Sequence, residues 1–144
     1  MRPEPTLSLT EEPDRDDLHY LDDRLYEFNA ETTGIRDGRW LTILVRDTGG
    51  TIVAGLHGST WGGCCEIKLL WIHADRRRQG LGSRLLAAAE AEARRRGARQ
   101  IVLSSHTFQA PAFYHRHGFE TLFVLDGYPS PHGQHWLRKR LVSS

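Results

Sequence analysis

Between residues 39 and 105 the apolar residues change period twice, and this limits the chain to few folds. "RWLTILVRD" (39–47), "TIVAGLHGS" (51–59) and "CCEIKLLWIH" (64–73) are β-rich, and the first alternates apolar with polar residues, the period that lines one face of a strand. "DTGG" (47–50) and "WGG" (61–63) supply turn residues between them, so the three predict an antiparallel meander. Residues 80–96 then place Leu81, Leu85, Leu86, Ala89 and Ala93 on one helical face, with Arg94 to Arg96 in the last turn and Gly97 as the stop. "RQIVLSS" (99–105) reads as a short buried strand. A strand–helix–strand unit of this kind predicts a right-handed parallel crossover.

The flanks extend this to a mixed α/β order, β–α–β–β–β–α–β–α–β–β. "TLSL" (6–9) predicts a short first strand, and Leu18, Leu21, Leu25 and Phe28 an amphipathic helix over 14–30. "QAPAFYHRHG" (109–118) predicts a two-turn helix with Pro111 in its first turn. "FETLFVLD" (119–126) and "QHWLRKRLV" (134–142) predict two more strands. At 144 residues, the whole span 1–144 is expected to be a single domain.

A net charge of +1 gives no overall footprint for nucleic acid, despite the arginine clusters. Arg94 to Arg96 sit where a helix dipole favours cations. No apolar run approaches membrane-spanning length, and the N-terminal residues lack the apolar centre of a targeting segment. The only cysteines, Cys64 and Cys65, are adjacent and read as reduced thiols, so the expected location is cytoplasmic. His115, His117, His132 and His135 are spread over a helix, a strand and a polar loop without a metal-ligand motif, and no metal is expected.

"RRRQGLGSRLL" (76–86) sets the densest positive charge against the most flexible backbone at the mouth of a helix. Such a loop can turn successive N–H groups toward an anion, aided by the helix dipole and the arginines. No Gly-Lys-Ser/Thr follows, and GxGxxG is absent, so it is neither a Walker loop nor a dinucleotide fingerprint. A solvated basic turn is the competing explanation.

"LWIHADRRRQGLGSRLL" resembles motif A of the GNAT superfamily of N-acetyltransferases, Q/R-x-x-G-x-G/A between a bulged strand and a helix. Here the motif is Arg77, Arg78, Gln79, Gly80, Leu81, Gly82. "TFQAPAFYHRHGFE" resembles the family's second signature, and "FQAPAFY" a bacterial subgroup whose substrate is unassigned. The resemblance implies a mostly antiparallel mixed sheet with helices on both faces and a central parallel pair splayed around an acyl-CoA arm. It implies acetyl-CoA as cosubstrate, with the arm on Leu70, Trp71 and Ile72 and the pyrophosphate on amides from Arg78 to Ser83. It implies an acetyl transfer to a primary amine of a small molecule or peptide, by direct attack in a ternary complex. No nucleic-acid or membrane partner is implied, and a homodimer stays open.

Tyr114 matches the tyrosine that donates to the departing thiolate, against a packing role for its ring. Glu66, eleven positions before Arg77, is the candidate general base, against an exposed carboxylate beside Lys68 on the same strand face. His73 and His106 are alternative bases. The family's asparagine seven residues before the tyrosine is here Thr107, which cannot copy a carboxamide, and Gln109 is a substitute. Trp61, Tyr26, Phe28 and Asn29 could line an amine pocket or pack in the core. Two rival functions are a catalytically silent CoA-binding module and a nucleic-acid-binding protein.

Overall fold

In the computed structural model, which describes residues 2–141, the first helix begins where the Asp14 carboxylate accepts from the Asp16 amide at 2.8 Å. This helix, α1 (Arg15–Thr33), ends at Gly34, whose left-handed φ of 75° lets its N–H donate to the Ala30 carbonyl. It runs past the expected 14–30 to the first glycine after Phe28, which takes the left-handed stop. Leu18, Leu21, Leu25 and Phe28 are exposed, and Ala30 is buried. Residues 6–9 form no strand, and Leu7 and Leu9 stand in solvent. Four alternating residues without an edge to pair keep their backbone hydrogen bonds to water. The chain divides into two units between Ile35 and Arg36, with α1 in the first.

The second unit holds β1 (Arg39–Arg46), β2 (Ile52–Trp61), β3 (Cys64–Ile72), a 3₁₀ turn (Ala74–Arg76), α2 (Leu81–Arg95), β4 (Gln100–His106), α3 (Pro111–Arg116), β5 (Glu120–Asp126) and β6 (Gly133–Arg140). The strands make one sheet in the order β1–β2–β3–β4–β6–β5, antiparallel throughout except where β3 meets β4. The expected last residue of β6, Val142, lies outside the described residues. Gly62 and Gly63, at φ 60° and 81°, close the β2–β3 hairpin with the two positive φ values that a tight primed turn requires. α3 starts later than expected because Pro111 bars a helical conformation at Ala110.

α2 sets the core. Its Leu85, Leu86, Ala89 and Ala93 pack with Leu41, Leu56, Cys65, Ile67, Ile101 and Leu137 of the strands. The alanines bring the helix close to the sheet, and each large buried aliphatic adds about 1.5–3 kcal/mol. Burial in this layer pushes the Cys65 thiol up to about 11, where it is inert at neutral pH. Arg96 does more than complement the helix dipole. Its guanidinium bonds Glu92 at 2.8 Å, the Trp40 carbonyl at 3.0 Å and Thr60 Oγ1 at 3.1 Å, which fixes the end of α2 to β1 and β2.

Candidate active site

β3 and β4 pair at only three positions, Cys64–Gln100, Cys65–Ile101 and Glu66–Val102, and then part. The cause is in β3. Against β2, Gly58 faces Ile67 and His57 faces Leu69, so Lys68 is an extra residue, a β-bulge that bends the strand. The inward side chains shift with it, from Cys65 and Ile67 before the bulge to Leu70 and Ile72 after it.

A cleft of about 800 Å³ opens at the parting. Lys68 to Ile72 form one wall, Ser104 and Ser105 another; residues of the 76–83 loop and of α3 complete it. Lys68, Arg76, Arg77, Arg78 and Arg116 line it without a carboxylate among the lining residues, so its field attracts anions.

The loop reaches this position through left-handed backbone at Arg78, φ 63°, and Gly80, φ 78°. Positive φ at the two residues flanking Gln79 turns the chain sharply into α2, whose first amides have no side-chain cap. Arg77 Nε donates to the Ile72 carbonyl at 3.3 Å and Gln79 Nε2 to the Asp75 carbonyl at 3.3 Å. Those two side chains therefore brace the loop, whereas the guanidinium groups of Arg76 and Arg78 have no partner among the described residues. The glycines differ in purpose. Nothing lies within 4 Å of a Cβ built on Gly80, which serves the turn; one on Gly82 would press Ile72 Cδ1 at 3.2 Å and Phe113 Cζ at 3.3 Å. Gly82 thus lets α2 close on β3 and α3, a packing role beyond the ligand approach expected from sequence.

Tyr114 lines the cleft with its ring edge-on to Phe113 and Phe119, and burial raises its phenol above the ordinary value of 10. Gln109 lines it too, its Oε1 accepting from the His106 amide at 2.7 Å and its carboxamide nitrogen left without a partner among the described residues. Leu70, Trp71, Ile72, Leu81 and Ser83 also border the cleft.

Glu66, His73, Gln79, His106 and Thr107, all expected at the site, lie outside the cleft lining. Glu66 is exposed, outside the cleft lining, at the last paired position before the strands part. Lys68 holds its ammonium 5.6 Å from the centre of the Trp40 ring. The Thr107 hydroxyl exchanges hydrogen bonds with Gly133 and lies 3.2 Å from His135 Nε2, clipping β4 to β6. His73 caps the 3₁₀ turn through Nδ1, which accepts from the Asp75 amide at 3.0 Å. His106 is held differently. Its Nδ1–H donates to the Tyr128 carbonyl at 3.0 Å and its ring stacks on Phe108, which leaves Nε2 as an acceptor.

Sequence reasoning does not single out Lys68, Ser104, Ser105 or Arg116 as site residues, yet all line the cleft. The only advance signal is their nearness to the bulge, the loop and Tyr114. The histidines take separate partners, His115 with Thr121, His117 with Ser83 and His135 with Thr107. Among the described residues no group of three or more His, Cys, Asp or Glu could hold a metal ion.

A parted parallel pair in a mostly antiparallel sheet, with a cationic glycine loop at the mouth of the following helix, defines an acetyltransferase-type fold. The chain belongs to the acetyltransferase (GNAT) family, whose profile matches residues 6–119. It is 34% identical over 118 residues to an acetyltransferase of Agrobacterium fabrum, covering 82% of this chain and 86% of that one. It is 39% identical over 93 residues to the blasticidin-S acetyltransferase of Streptomyces morookaense, covering 64% of this chain and 68% of that one. The crystal structure of an acetyltransferase from Bacillus cereus superposes with a TM-score of 0.75 at 31% identity, over 93% of this chain and 98% of that one.

Proposed function

We propose that the protein, as one acetyltransferase domain, moves an acetyl group from acetyl-CoA to a primary amine of a small molecule or peptide by direct attack in a ternary complex. The observation that carries this reading is the carboxylate-free cationic cleft at the parting of β3 and β4. A nucleotide-tailed thioester fits its chemistry: a cradle of amides for the diphosphate, and strand backbone released from pairing for the amide-bearing arm.

When bound, acetyl-CoA supplies the activated acyl group. The amides of Arg78 to Ser83 hold its pyrophosphate, and Arg76 and Arg78 add charge-assisted bonds. The backbone of Leu70, Trp71 and Ile72 bonds the arm, and a strand N–H stabilises charge developing on the acyl oxygen. Gln109 supplies the carboxamide donor, since the Thr107 hydroxyl is committed to Gly133. Tyr114 keeps its proton as a donor to the departing sulfur, because burial favours the neutral phenol.

The amine must lose a proton, and Glu66 and His106 are the two acceptors in this reading. The bond from His106 Nδ1 to Tyr128 favours His106, because it presents Nε2 as a base near the cleft. Glu66 requires an intervening water. The relative that is named for blasticidin S supports a small-molecule amine as acceptor. We place the protein in the cytoplasm; no helix among the described residues is long and apolar enough to cross a membrane.

The test is calorimetric titration with acetyl-CoA, followed by measurement of CoA release with a panel of amines and antibiotics. Gly80→Asp puts a negative charge at the cradle in a residue that tolerates left-handed backbone better than most. Binding should be lost with the fold kept, and unchanged affinity in the folded variant would remove the reading. Tight binding without release by any amine would favour a silent CoA-binding module.

A further inference from the structure

α3 lies against the mouth of α2 at two adjacent points. Phe113 touches the space where a Gly82 side chain would be, and His117 Nε2 lies 3.0 Å from Ser83 Oγ. The His117 ring also packs on Phe113 at 4.7 Å between centroids. Ser83 borders the cleft and His117 stands behind it, outside the lining. No sequence motif joins them, as they are thirty-four residues apart.

We infer that His117 is a positioning residue for the acyl donor, orienting the Ser83 hydroxyl so that its hydrogen points at the donor's pyrophosphate. The logic is one of donors and acceptors. A serine hydroxyl has one hydrogen and two lone pairs, and a neutral imidazole nitrogen is either N–H or lone pair. If Nε2 is a lone pair, it takes the Ser83 hydrogen, and Oγ turns its own lone pairs toward the anion. If Nε2 carries a hydrogen, it donates to Oγ, and the hydroxyl hydrogen is free for a phosphate oxygen. An anion in the cradle selects the second arrangement. Because Tyr114 and His117 share one short segment, the same contact holds the helix bearing Tyr114 against the occupied loop. The inference rests on the acetyl-CoA reading above.

The test uses the full chain and three ligands: CoA, dephospho-CoA and pantetheine, which lacks the pyrophosphate. His117→Phe keeps a ring against Phe113 and removes the nitrogen, whereas His117→Gln can place a carboxamide N–H near Oγ. Calorimetry should show CoA and dephospho-CoA affinity falling by about 10–100-fold in His117→Phe, the range for a lost hydrogen bond to a charged group. Affinity should recover in His117→Gln. Pantetheine, followed by competition, should bind all three proteins alike. Ser83→Ala should lose a similar factor, and the double variant with His117→Phe little more. In ¹⁵N spectra of the wild type, His117 Nε2 should take the shift of a protonated nitrogen when dephospho-CoA is added, but not with pantetheine.

Equal CoA affinity in His117→Phe and wild type, or an equal loss for pantetheine, would overturn the inference. So would a Nε2 shift that ignores the pyrophosphate ligand. Absence of any CoA binding by the wild type would instead bring down the donor reading itself. A CoA affinity lost in Gly80→Asp but untouched in His117→Phe would sink only the positioning role.

Discussion

Gly58 of β2 stands so close to β3 that a Cβ on it would lie 2.1 Å from the carbonyl oxygen of Glu66. Backbone fills that space because Lys68 is bulged out of the ladder immediately downstream. The bulge that opens the cleft therefore depends on a glycine on the neighbouring strand. Gly58→Ala should cost at least about 1–3 kcal/mol, as overpacking does in a closed interior. Denaturant unfolding would measure it, and a folded variant should also bind acetyl-CoA less well. An alanine variant of wild-type stability would show that the strands separate without the close approach.

Arg78 carries left-handed backbone at a non-glycine position, a conformation that costs roughly 1–2 kcal/mol. Arg78→Gly should relieve this, and the added freedom of the unfolded chain should cancel part of the gain. A net stabilisation of about 0.5–1 kcal/mol is expected, together with weaker acetyl-CoA binding. Loss of stability with unchanged affinity would assign Arg78 to structure alone.

Tyr114→Phe should lower turnover by about 10²–10⁴-fold, the range of general acid catalysis, with little change in acetyl-CoA affinity because the ring remains. The sign of the pH dependence follows from burial. The folded phenol holds its proton above pH 10, whereas the unfolded chain releases it near 10. This contribution to stability is fully present below pH 10 and is lost as pH climbs from there through the folded value. Thermal melts between pH 9 and 11 should therefore fall less steeply for the phenylalanine variant. Its rate profile below pH 10 should have the wild-type shape at a lower level. Wild-type turnover would make Tyr114 a packing residue.

Glu66→Gln and His106→Gln separate the two proton acceptors. Loss of the base should depress the rate most near neutral pH, with partial recovery as more amine arrives deprotonated. That profile is expected for His106→Gln. For Glu66→Gln, exposed as Glu66 is, a change of less than about threefold is expected, in keeping with the small contribution of solvent-exposed charges. The reverse ranking would return the role to Glu66, and superimposable profiles for all three proteins would leave it to water.

The sequence by itself determined the meander, the strand–helix–strand unit and the loop. Each is a local pattern, written in alternation in β1, in the Leu85–Ala89 spacing of α2 and in the glycines of the turns. It overreached at residues 6–9, where alternation alone cannot supply a paired edge. Tertiary structure alone decided how the site is assembled. The split of β3 from β4 arises from one extra residue opposite Gly58, and only the pairing of the strands fixes where that residue falls. Thr107 and His106 look equally free in the sequence. One is spent on Gly133 and the other is aimed by Tyr128, because β6 and the turn before it come to lie beside β4. His117 gained its place behind Ser83 in the same way. Side-chain hydrogen bonds to residues distant in sequence have no period to read, so their partners appear only once the backbone has brought them within 3 Å or so.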